Sequence, residues 1–219
     1  MDTSSKNIYC ISGLGADERA FERLNIKGCS LQFLNWISPM KEESLSSYAG
    51  RMLAQIGEEQ PVILGLSFGG MIAIEMAKQT AVSKLILVSS VKTHSEIPKW
   101  MRLSGVLKLH KLIPIKANRF TEKADDRRMG IETMEEKNFV DAYRKKADQN
   151  YVNWAVDQIV NWRNNWLPEN LYHIHGEKDR MFPLKNIHAT HIIKKGTHIM
   201  ILNRAEEISA CIEQIVLDK

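Results

Sequence analysis

A serine set among glycines is the first chemistry the chain offers. Gly65-Leu66-Ser67-Phe68-Gly69-Gly70 fits the pattern G-x-S-x-G. The apolar run Val62–Leu66 precedes it directly, and a helix-like run from Met71 to Lys78 follows. A sharp strand-to-helix turn of this kind strains the serine backbone and presents its oxygen at a helix N-terminus, where backbone N–H groups favour negative charge. Larger side chains at 65 and 69 would collide with the neighbouring strand and helix. A serine hydroxyl needs a base to act as a nucleophile at neutral pH. Of seven histidines, His198 is the candidate, because Gly196-Thr197-His198 follows the last apolar run. Loops at the C-terminal ends of strands are where ligand-facing groups collect in open α/β sheets. An acid that orients the imidazole should follow another strand end. Gly176-Glu177-Lys178-Asp179 follows the run Leu171–His175, which leaves Glu177 and Asp179 as the choices. His173 and His175 are expected on opposite sides of that strand, which argues against a metal pair. His188 and His191 have no third ligand nearby, and His94 and His110 lie in a helical stretch as surface or core residues.

These residues need a scaffold that brings strand ends together. Asn7–Ser12, Leu31–Trp36, Val62–Leu66, Leu85–Ser89, Leu171–His175 and Thr190–Ile193 are short apolar runs without clean alternation. Strands buried on both faces of a parallel sheet read this way. Between them, Leu45, Tyr48, Ala49, Met52, Leu53 and Ile56 follow a helical period, as do Ile208, Cys211, Ile212 and Ile215. The latter pattern puts Cys211 in the core, and Asn203 with Glu206 reads as the cap of that last helix. The alternation predicts an α/β fold with right-handed crossovers.

The stretch 91–166 breaks the alternation and contains no convincing strand. Leu103, Val106, Leu107 and His110 share one helical face, stopped by Pro114. Thr133 and Glu136 form a capping-box pattern opening a second helix, with Phe139, Val140, Tyr143 and Ala147 inward. Tyr151, Ala155, Ile159 and Trp162 mark a third. The chain is therefore read as a core of residues 1–90 and 167–219, interrupted by a helical lid at 91–166.

Composition bounds the function classes. The 219 residues suit one large domain, and 44% hydrophobic with 26% charged residues is the balance of a folded globular protein. A net charge of +4 and the lack of any recognition motif give no reason to expect nucleic acid. No apolar run approaches a membrane span, and the polar start Met1 to Lys6 does not read as a signal peptide. Cys10, Cys29 and Cys211 are odd in number and far apart, which reads as reduced thiols in a cytoplasmic protein without a metal site.

Together these landmarks resemble the α/β-hydrolase superfamily, over about residues 7 to 217 with only the lid unmatched. G-L-S-F-G-G resembles its nucleophile elbow, and Gly196-Thr197-His198 its histidine loop. His175 to Pro183, H-G-E-K-D-R-M-F-P, looks like its H-G-x-x-D-x-x-x-P acid loop, which favours Asp179 over Glu177. The chain order Ser67, Asp179, His198 is the order of that superfamily. The resemblance implies a mostly parallel six-stranded sheet with helices on both faces and a lid. It implies an acyl-serine mechanism, with backbone N–H groups of Leu14 and Phe68 as the oxyanion hole and no cofactor or metal. Ser12-Gly13-Leu14-Gly15 resembles the oxyanion loop, with Ser12 where a histidine is usual. The usual N-terminal antiparallel strands are missing, and the 19-residue step from Asp179 to His198 predicts a crossover helix reduced to a turn.

The implied substrate is a small carboxylic ester, with a thioester as the nearest alternative. A lyase or a slow-turnover small-molecule sensor on the same fold are the others, since fold does not fix function. The lid carries 15 Lys and Arg against 10 Asp and Glu, which would attract an acidic substrate or simply solvate helix faces. Trp100, Trp154 and Phe182 are the candidates to line the substrate pocket.

Overall fold

The six apolar runs pair side by side into one sheet. In a computed structural model of the chain, residues 5–109 and 119–217 are described, the side chains of 119–121 excepted. The strands are β1 (Lys6–Ile11), β2 (Cys29–Phe33), β3 (Val62–Leu66), β4 (Lys84–Val88), β5 (Leu171–Gly176) and β6 (His191–Ile193). Every neighbouring pair is parallel, in the order β2-β1-β3-β4-β5-β6. The winding reverses between β1 and β3, and a parallel sheet opens its ligand crevice at the C-terminal strand ends beside such a switch.

Both faces of the sheet are covered. The helices are α1 (Leu45–Leu53), α2 (Phe68–Ala77), α3 (Lys99–Val106), α4 (Arg119–Met129), α5 (Met134–Lys146), α6 (Gln149–Asn161), α7 (Met200–Asn203) and α8 (Ala205–Leu217). Tyr9, Ile11, Ile63, Leu85 and Leu87 face one core with α1 and α2. Ile8, Cys10, Leu64, Ile86 and Val88 face the other, with Phe21 and α8. Period-two strands feed both layers, so β3 is buried throughout. All of α2 is buried too, as expected of a helix that is apolar on every side. Among the described residues no helix is long and apolar enough to cross a membrane.

Several expectations need correction. The second strand is Cys29–Phe33, not Leu31–Trp36. The Leu34 N–H makes a last bond to the Cys10 carbonyl, and the chain then leaves the sheet, with Gln55 and Tyr48 satisfying the Asn35 and Ile37 backbone. The face that Leu103, Val106 and Leu107 were expected to share is exposed. Helix α3 instead packs through Gly105, where an added Cβ would sit 2.6 Å from the Val160 carbonyl of α6. The small residue admits the neighbouring backbone, which outweighs the periodicity of the leucines. His110 and Pro114 lie outside the described residues. Cys211 is only half-buried, and Asn203 does not cap α8: its Nδ2 donates to Glu136 Oε1 at 2.7 Å. That carboxylate completes the predicted capping box with Thr133. Between β5 and β6 the described residues hold only a short turn of helix, Leu184–Asn186.

Ile63, at 0% exposure in β3, tests the first core. Ile63→Ala should cost about 2–5 kcal/mol in urea unfolding. A loss below about 1 kcal/mol would contradict the packing described.

Candidate active site

Strand β3 ends at Leu66, and the chain must reverse into α2 within one residue. Ser67 takes φ +52° and ψ −117°, a backbone conformation rare for a residue with a side chain. Its neighbours hold it there. The Ser67 N–H donates to Val88 O at 2.9 Å, and its carbonyl accepts from Gly70 N at 3.0 Å and Ser90 Oγ at 2.6 Å. Glycine at 65 and 69 is enforced by contact. A Cβ at Gly65 would lie 2.5 Å from Gly70 Cα, and one at Gly69 would lie 2.3 Å from Ile11 O.

His198 arrives from the loop after β6 and Asp179 from the loop after β5. Ser67 Oγ lies 3.0 Å from His198 Nε2. His198 Nδ1 lies 2.9 Å from Asp179 Oδ2. The second Asp179 oxygen accepts the Met181 and Phe182 N–H groups, both at 2.8 Å. An ionised carboxylate only accepts, so the neutral ring carries its proton on Nδ1 and offers the Nε2 lone pair to the serine hydroxyl. Asp179 and His198 are buried while Ser67 is half-buried. This arrangement is able to draw a proton from the hydroxyl as its oxygen attacks an electrophile. Glu177, the other acid considered, is exposed and accepts the Lys195 N–H at 2.9 Å, away from the imidazole.

The remaining histidines stand apart. His173 and His175 do not face opposite sides of β5; residues two apart on a strand share a face, and the rings are 5.1 Å apart edge to face. His175 Nε2 donates to Phe182 O at 2.8 Å, bracing the acid loop. Both His173 nitrogens lack a partner among the described residues. Burial holds the His173 imidazole well below its usual range and also lowers His175, against the pull of Asp179. Among the described residues no group of His, Cys, Asp or Glu could hold a metal ion.

The turn after β1 reaches the serine from the other side of the switch point. An added Cβ at Gly13 would lie 3.4 Å from Ser67 Cβ. Ser12 Oγ donates to Ala16 O at 2.7 Å, and Ala16 N–H donates to Gly13 O at 3.0 Å. Trp36 Nε1 donates to Ser12 Oγ at 2.8 Å and to Ala16 O at 2.9 Å. The same indole stacks on Phe68 at 6.0 Å and 13°, and meets Tyr151 at 5.1 Å. Sequence reasoning missed Trp36, because it lay within a run read as sheet. It also missed Ser90, whose grip on the Ser67 carbonyl has no local sequence signal.

Of the expected pocket residues, Trp154 and Phe182 are brought to this cluster. Trp154 packs 4.5 Å from Tyr48 and 6.0 Å from Phe68, and its Nε1 donates to Glu43 O. The buried Phe182 ring meets His198 edge-on at 5.5 Å. Trp100 is not brought there. It is half exposed on α3, with the Arg128 guanidinium 4.9 Å from its ring.

No family model and no curated protein matches the chain. Solved structures do resemble it along nearly its whole length. An esterase from Thermogutta terrifontis superposes with TM-score 0.73 at 14% identity, covering 97% of this chain and 90% of the other. An esterase from Exiguobacterium antarcticum gives 0.67 at 16%, covering 98% and 93%. An N-acyl homoserine lactonase crystallised with N-hexanoyl homoserine gives 0.71 at 16%, covering 98% and 90%. The chain has the α/β-hydrolase fold.

The buried histidines make a prediction about acid. Unfolded, they titrate near 6.5, whereas folded they stay neutral to lower pH. The unfolded chain therefore binds the extra protons, so this stability is full above about 6.5 and lost as pH falls below it. Urea unfolding at about pH 5.5 should show a lower midpoint than at about pH 7.5. His173→Leu, which cannot titrate, should flatten that drop; an identical midpoint at both pH values would contradict it.

Proposed function

We propose that this chain is a serine hydrolase that cleaves a small carboxylic ester through an acyl-Ser67 intermediate. The observation that carries the reading is the continuous hydrogen-bond chain from Ser67 Oγ through His198 to a buried Asp179, at 3.0 and 2.9 Å. Likeness to esterases and a lactonase in fold supports ester chemistry, and the site geometry supports these residues as its agents.

In this reading Ser67 Oγ attacks the carbonyl carbon as its proton passes to His198 Nε2. The carbonyl electron pair moves to oxygen, and the N–H groups of Leu14 and Phe68 stabilise that charge. The intermediate collapses, the bond to the leaving alcohol breaks, and its oxygen takes the proton from Nε2. Water, deprotonated by Nε2, then cleaves the acyl-serine and the proton returns to Ser67. Asp179 stays ionised throughout, held by two backbone N–H groups, and stabilises the imidazolium. Trp36 is a positioning residue: its N–H clamps the turn that presents Leu14, while its ring braces Phe68. Ser12 supplies the support that a histidine would give the turn. Trp154 and Phe182 border the acyl site, and the helices of 91–166 form its lid. No cofactor takes part in this scheme. The free thiols of Cys10, Cys29 and Cys211 support a reducing, cytoplasmic setting.

Hydrolysis of p-nitrophenyl acetate and butyrate tests this reading. Ser67→Ala should lower turnover by roughly 10⁶, and a fluorophosphonate should label Ser67 stoichiometrically. Equal rates for wild type and variant, or an adduct elsewhere, would remove it. Trp36→Phe keeps an aromatic ring against Phe68 and deletes the N–H. It should lower kcat by roughly 10- to 100-fold, less than the 10²–10³ of losing an oxyanion donor outright, while KM stays within about threefold. A change in KM alone would assign Trp36 to substrate binding instead.

A further inference from the structure

A cleft of about 290 Å³ opens between the end of α4 and the loops that carry Asp179 and His198. Lys123 and Arg127 of α4 line one side, and Lys178 and Arg180 line the other. Lys178 and Arg180 flank Asp179 in sequence, and Thr197, also on the wall, precedes His198. The two sides are fitted closely. Gly130, at φ +74°, ends α4 where an added Cβ would lie 2.5 Å from Thr197 Cβ.

Cations outnumber acids on the cleft wall by four to two. None of the four cations has an ion-pair partner among the described residues. Elsewhere on the same helix Arg128 pairs with Asp125 at 3.1 Å. Asp126 borders the cleft, but both its oxygens are taken, by Lys137 at 3.1 Å and Arg144 at 2.6 Å. Glu132 is the one other acid on the wall. Lys123 and Arg127 stand four residues apart on one helix face, a like-charge spacing that destabilises an isolated helix. Thr197 adds a hydroxyl that is buried without a hydrogen-bond partner, in a residue 6% exposed.

We infer that this cleft binds a phosphate-bearing group, carried by the ester or thioester that Ser67 attacks. One carboxylate would engage a single arginine fork; four cations from two segments suit a group with more charge and more acceptor oxygens. Lys178, Arg180 and Thr197 follow the C-terminal ends of β5 and β6, and Ser67 follows that of β3, so cleft and serine share one edge of the parallel sheet. Assigning the anion to the substrate rests on the Ser67 chemistry proposed above; the anion site itself does not.

Inorganic pyrophosphate, titrated calorimetrically into the full chain at low salt, is the first probe. Binding should weaken at least about tenfold in Arg127→Glu/Arg180→Glu. It should stay within about twofold in Lys27→Glu/Lys41→Glu, which reverses the same charge at two exposed lysines that do not line the cleft. Matching urea midpoints for both variants establish that they fold. Absence of binding, or equal weakening in both variants, overturns the anion site. The second arm is hydrolysis of a phosphate-bearing thioester, acetyl-coenzyme A, where pyrophosphate should inhibit competitively with a constant equal to its Kd. Binding without competition overturns the assignment to substrate. Binding by a wild-type chain that hydrolyses no ester would overturn the serine-hydrolase reading and leave the anion site standing.

Discussion

The arrangement depends on one strained residue. Ser67 holds a positive φ that costs on the order of 1–3 kcal/mol for a residue with a side chain, and it persists only because its surroundings over-determine it. Strand β3 before it and helix α2 after it are buried along their lengths, so neither end can relax. Val88, Gly70 and Ser90 then satisfy its backbone groups, and two glycines remove the side chains that would forbid the turn. The stability of the sheet core is thereby converted into a fixed position for one hydroxyl oxygen.

Everything else at the site approaches that oxygen from other strand ends. The β5 loop folds back so that the Met181 and Phe182 N–H groups grip Asp179, and His175 secures the Phe182 carbonyl from below. The carboxylate then fixes the imidazole, whose far nitrogen meets Ser67. Each contact constrains one rotation, and burial keeps water from competing for the Asp179–His198 bond. Burial lowers the His175 imidazole below its usual range, which favours a neutral ring that braces the loop without adding a charge beside the acid.

Trp36 joins the opposite side of the site to the inserted helices. One indole hydrogen-bonds the turn after β1, stacks on Phe68 at the start of α2 and touches Tyr151 of α6. Tyr48 and Trp154 extend this cluster, so the helices between β4 and β5 are packed onto the elbow by aromatic contact. The basic residues of α4 lie on the other side of the histidine loop, which leaves an apolar flank and a cationic flank around the same edge of the sheet.

The linear sequence determined what local rules can determine. A buried run followed by G-x-S-x-G forces a strand, a tight turn and a helix, and Thr133 with Glu136 forces a helix start. Both follow from short-range sterics and hydrogen bonding, so spacing alone exposes them. Ser67, His198 and Asp179 were legible for the same reason, each being tied to a strand end, although choosing Asp179 over Glu177 needed a likeness to known loops. Where contacts are distant in sequence, local pattern misled. Leu103, Val106 and Leu107 share an apolar helical face, yet that face lies in solvent, because Gly105 lets α6 approach on another side. Asn203 reads as a cap but reaches Glu136, 67 positions away. Trp36, Ser90 and the cationic cleft were invisible until the chain folded, since long-range packing decides which side chains meet and no local periodicity encodes it.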